Sequence, residues 1–103
     1  MQRPTTIEQY IDLVQQALFE TEELRVAMDY DMETSSESAG LAERLEPIIR
    51  QLKEDMLAGR YRFENRDLVF MPLINEYQDR LLPFKYLLKI INETHRLGLD
   101  VSV

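Results

Sequence analysis

The chain has 103 residues, with 12 Lys and Arg against 19 Asp and Glu, and no cysteine. No cysteine means no disulfide and no thiolate metal site, and a net charge of −7 argues against a general nucleic-acid binder, which needs a basic surface. Leu, Ile, Val and Phe supply 31 of the 103 residues, enough for one modest core, so a single domain over 1–103 is expected.

Charge is unevenly spread. Residues 1–59 hold 5 basic and 13 acidic side chains, and residues 60–103 hold 7 and 6. One half is therefore acidic, while the other can accept an anion-bearing contact. No apolar run approaches the roughly 18–20 residues of a membrane span. Residues 1–9 lack the apolar core of a signal peptide, so the cytoplasm is the expected location and no membrane contact is expected.

The first predicted element is a helix over about 6–30. Thr5 and Glu8 have the spacing of a capping box, in which hydroxyl and carboxylate each take a free backbone N–H. Ile7, Tyr10, Ile11, Val14, Ala17, Leu18, Leu24, Ala27 and Met28 then recur at helical spacing. Residues 31–38 are polar and acidic and read as a loop. A second helix follows over about 39–58, with Leu41, Leu45, Ile48, Ile49, Leu52 and Met56 keeping register through Pro47. That proline either kinks the helix or opens a new one. Gly59 is a suitable stop.

Residues 60–71 read as a β-hairpin. Tyr61 and Phe63 alternate with Arg60 and Arg62, Glu64 to Asp67 supply turn residues, and Leu68 to Met71 form a β-favouring run. The third helical region covers about 73–97 as one kinked helix or two, with Pro83 inside it. Leu87, Leu88, Ile90 and Ile91 mark its second half as the central core helix. The expected fold is thus mainly α: a three- to four-helix bundle with one inserted β-hairpin.

The hairpin carries the candidate interaction residues Arg60, Arg62, Arg66, Tyr61 and Phe63. Arginine's planar fork suits carboxylate or phosphate. The competing reading is an exposed edge guarded by charge. Two hairpins could also pair across a two-fold axis, which with the long first helix makes a homodimer the expected state. A winged-helix DNA-binding reading is disfavoured, because Glu43, Glu46, Glu54 and Asp55 would face phosphate repulsion.

Two carboxylate pairs have i, i+3 spacing: Glu43 with Glu46, and Glu76 with Asp79. This spacing is similar to the ExxE…ExxD pattern of the all-α nucleotide pyrophosphohydrolases. The resemblance covers these four positions and implies a Mg²⁺ site for nucleotide phosphate. The same residues also read as solvated helix faces, since such pairs arise readily in a chain with 19 acids, and that reading is preferred. His95 is the only histidine, near the end of the last helix where the dipole favours a cation. No cofactor is expected. The overall expectation is a small accessory protein that binds an unidentified protein partner without catalysing a reaction.

Overall fold

The computed structural model describes residues 2–30, 36–76 and 84–101. Over these residues the chain forms α1 (Ile7–Tyr30), α2 (Ser36–Leu57), α3 (Met71–Asn75) and α4 (Lys85–Leu97). There is no β-strand among the described residues. None of the described helices is long and apolar enough to cross a membrane.

The start of α1 is set by a variant of the capping box one residue later than Thr5 and Glu8 would place it, with the return bond going to the residue before the N-cap. Thr6 Oγ1 accepts the Gln9 N–H at 3.1 Å, and Gln9 Oε1 accepts the Thr5 N–H at 2.9 Å. Glutamine at the third position supplies the same acceptor as glutamate, so Ile7 opens the helix. From there α1 buries Tyr10, Val14, Ala17, Leu18 and Thr21, one stripe at three- and four-residue steps. The Thr21 hydroxyl satisfies itself by bonding the Ala17 carbonyl at 2.8 Å.

Helix α2 begins at Ser36, so the loop expected over 31–38 is corrected at its last three residues; residues 31–35 lie outside the described set. It runs unbroken through Pro47. The ring is exposed there, and the regular spacing of buried Leu41, Leu45, Ile49 and Met56 holds the helix together across the missing N–H. Its end is a Schellman motif. Gly59 adopts φ 75°, the Arg60 N–H reaches the Asp55 carbonyl at 2.9 Å, and the Gly59 N–H reaches that of Met56 at 3.3 Å.

The expected β-hairpin over 60–71 does not form. Its backbone donors find other acceptors: the Tyr61 N–H bonds the Asp55 carbonyl, the Glu64 N–H bonds the His95 carbonyl at 3.2 Å, and the Leu68 N–H bonds Asn92 Oδ1 at 2.7 Å. With those donors taken by α2 and α4, the regular ladder of a two-stranded hairpin, marginal in isolation, is broken on both sides. The apolar run 68–71 turns instead into α3, with Pro72 in its first turn, where the absent N–H costs nothing. The region expected as a helix over 73–97 is therefore two helices, α3 and α4, with residues 77–83 outside the described set.

One core joins the four helices. Tyr10, Leu41, Leu45, Ile49, Phe70, Ile74, Leu88 and Ile91 are essentially sealed from solvent. Leu87, Leu88 and Ile91 of α4 lie inside it, whereas Ile90, expected there too, is only half-buried and stands outside the cluster.

Candidate functional site

The segment 60–70 lies as an irregular strap beside α2 and α4. An open groove of about 780 Å³ separates it from α2. Ile48 and Leu52 of α2 give one apolar wall, and Leu68 and Val69 give the other. Val69 is 76% exposed, an unusual position for a β-branched side chain with apolar neighbours. Arg60, Arg62 and Arg66 line the same groove with Asp55, Glu64 and Asp67.

The three arginines differ in what they hold. Arg60 pairs with Asp55 at 3.1 Å, a bond the Schellman turn makes possible by folding residue 60 back over α2. Arg66 pairs with Glu64 at 2.6 Å. Asp67 is held by Asn92 at 2.9 Å and lies 3.5 Å from Arg96. Arg62 makes no ion pair or hydrogen bond with any described residue. It is the groove's one uncompensated charge among them.

Tyr61 and Phe63 both pack on the Tyr10 ring of α1, and Tyr61 also lines the groove with Arg60 and Arg62. Tyr61 packs edge-on to Tyr10 at 5.6 Å between centroids, and Phe63 stacks on Tyr10 at 5.8 Å. The aromatic pair is thus a clamp that pins the strap to α1 more than a free binding surface.

Beneath the clamp lies a polar chain that sequence reasoning missed. The Tyr10 hydroxyl donates to the Ile91 carbonyl at 2.9 Å and lies 2.9 Å from the Tyr61 hydroxyl. The Tyr61 hydroxyl lies 2.6 Å from His95 Nδ1. Burial pushes the Tyr10 hydroxyl far above the usual tyrosine range, and burial with Glu64 nearby pushes Tyr61 up to about 12. His95 is only 6% exposed, and burial lowers its pKa, with Glu64 opposing and Arg66 reinforcing. The expected helix-dipole preference for a histidine cation is therefore overridden by desolvation. Positions 10, 61 and 95 have no mutual sequence spacing that could announce the contact.

The four carboxylates of the nucleotide-hydrolase resemblance have separate fates. Glu46 is buried, accepting from Arg50 at 2.6 Å and from Arg25, and Glu22 lies 3.2 Å from the same Arg50. The Glu46 pair raises the Arg50 pKa further. Both Glu46 oxygens thus already hold guanidinium groups. Glu43 is exposed on the same helix, Glu76 is exposed just after α3, and Asp79 lies outside the described residues. Among the described residues no group of three or more His, Asp or Glu is placed to hold a metal ion.

Function must be argued from this geometry, because comparison with protein-family models, with curated proteins and with solved structures finds no match for the chain.

Proposed function

We propose that the protein is a non-catalytic interaction module of the cytoplasm, and that the groove between α2 and the strap receives a short segment of a protein partner. The observation that carries this reading is the groove itself: apolar walls with Val69 held out in solvent, beside Arg62, which no described side chain neutralises. An exposed apolar patch rimmed by polar groups is a common mark of an interaction surface. A guanidinium left over from local pairing adds a requirement for one carboxylate. The partner segment is therefore one with an apolar side chain next to an Asp or Glu.

Peptide selection tests this. A displayed random-peptide library is panned against the wild-type protein and, in parallel, against Val69→Asp/Arg62→Ala. Both positions are exposed, so neither change should unfold the chain. Enrichment on wild type alone, of peptides with an acidic residue beside an apolar one, is expected. No enrichment, or the same peptides on both proteins, would overturn the reading.

Self-association remains part of the proposal on a changed basis. Without a hairpin there is no strand edge to pair among the described residues. What supports it is Phe19 at 50% and Val26 at 47% exposure, seven residues apart and so on one outer face of α1. Light scattering should give a dimer mass that Phe19→Lys reduces to monomer. A monomer mass for wild type that stays constant on concentration sinks this part.

A further inference from the structure

Three contacts in the strap's polar chain have to be supplied with protons. They are Tyr10 hydroxyl to Ile91 carbonyl, Tyr10 hydroxyl to Tyr61 hydroxyl, and Tyr61 hydroxyl to His95 Nδ1. A carbonyl has no proton to give, so the single Tyr10 proton goes to Ile91. The contact between the tyrosines must then use the Tyr61 proton, with Tyr10 oxygen as acceptor. Tyr61 has no second proton, so the contact with His95 must use a proton on Nδ1. Only this assignment makes all three contacts single hydrogen bonds. Because burial disfavours the imidazolium, the ring is neutral near pH 7 and Nε2 carries no hydrogen.

Nε2 is left as an acceptor. It has no hydrogen-bonding partner among the described residues, yet no buried side-chain nitrogen or oxygen there is both sealed and unpartnered. Nε2 therefore reaches open space, and the open space beside His95 is the groove. The charged groups near the ring, Glu64 and Arg66 on the strap, are paired with each other at 2.6 Å.

We propose that His95 Nε2 is the hydrogen-bond acceptor of the groove, fixed in that role by the Tyr10–Tyr61 chain, so that the groove selects a segment presenting an O–H or N–H donor beside its apolar side chain. The proposal rests on the groove being a binding site and adds to it the donor requirement. It also gives the two tyrosines a positioning role. They orient the imidazole and set its tautomer, and neither needs to touch the ligand. Such outer partners commonly fix which histidine nitrogen is presented.

The chain has a single histidine, so the test is free of overlap. Long-range proton–nitrogen NMR of the wild-type protein should show hydrogen on Nδ1 and none on Nε2. Tyr61→Phe keeps the ring packing but removes the Nδ1 partner, and should move the proton to Nε2. p-Cresol and 4-methylanisole then serve as probes, two apolar rings of which only the first carries a donor. p-Cresol should shift the Nε2 resonance and the Leu68 and Val69 amides. The methyl ether should bind about fivefold more weakly, the loss of one neutral hydrogen bond, and leave Nε2 in place. A wild-type ring protonated on Nε2 would overturn the proposal, and so would equal binding of the two probes. Failure of the peptide selection alone would leave the tautomer result standing, so the two readings fail separately.

Discussion

Two polar clusters hold this molecule together, and they solve the problem of burying polar atoms in opposite ways. Between α1 and α2, Glu46 stays in an ion-pair cluster with Arg25 and Arg50, whose guanidinium groups remain half in solvent. Between α1, the strap and α4, Tyr10, Tyr61 and His95 pass neutral hydrogen bonds from one to the next. The first cluster works by charge, reaches water through long side chains and is open to screening by salt. The second works by neutral hydrogen bonds in a largely buried setting, where losing a partner is costly because water replaces it poorly. Substitutions and solution conditions should therefore separate the two regions.

The largest difference is expected at Tyr10. Tyr10→Ala should cost about 3–5 kcal/mol of stability, because it opens a cavity in the core and removes the centre of the polar chain. Denaturant midpoints check this, and a loss near 1 kcal/mol would mean that α1 and the strap repack with ease. Glu46→Gln comes next, at about 1–3 kcal/mol, since the amide still fills the space but no longer balances two guanidinium groups. Its cost should shrink at high salt, whereas that of Tyr10→Ala should not. Equal salt response of the two variants would erase the contrast between the clusters. Tyr61→Phe should cost about 1–3 kcal/mol, because the ring packing survives but both hydroxyl hydrogen bonds, to Tyr10 and to His95, are lost.

The smallest effect is a pH dependence. His95 has a lowered pKa in the folded state, so the unfolded chain binds its proton more readily. The stability this contributes is present above about pH 6.5, the unfolded value, and is lost as pH falls toward the folded one. Wild type should thus lose stability below about pH 6.5 more steeply than His95→Gln, read from midpoints across that range. Parallel curves would place the imidazole in a wetter site than its 6% exposure implies.

The ion-paired region was more legible in the sequence than the neutral one. The helices that carry it have long apolar stripes at fixed spacing, such as Tyr10, Val14, Ala17, Leu18 in α1 and Leu41, Leu45, Ile49 in α2, and a stripe of that length overrides local exceptions such as Pro47. Residues 60–71 had only local propensity to speak for them. Arg-Tyr-Arg-Phe and Leu-Val-Phe-Met favour strands by chemistry, but their backbone partners sit on α2 and α4, at Asp55, Asn92 and His95, and no local rule reveals such acceptors. Helix α3, at five residues, is too short to show a period. The same distance effect hid the site. Arg60, Arg62 and Arg66 were visible as a cluster, while the unpaired state of Arg62 alone depends on Asp55 and Glu64 having claimed its neighbours. The burial that keeps His95 neutral is likewise a property of the assembled core.

The Tyr10–Tyr61–His95 chain also acts as a key for register. A slip of α4 by one residue would turn its side chains about 100° around the helix axis. Apolar neighbours such as Leu87 and Leu88 could exchange places in the core under such a slip and still be buried. The hydroxyl of Tyr10 could not follow, because it needs the carbonyl of residue 91 and, through Tyr61, the imidazole four positions on. Grease would tolerate several alignments of α4 against α1, and three hydrogen bonds admit one. Beyond what it adds to stability, the chain of tyrosines therefore decides which of several near-equivalent packings this protein folds into.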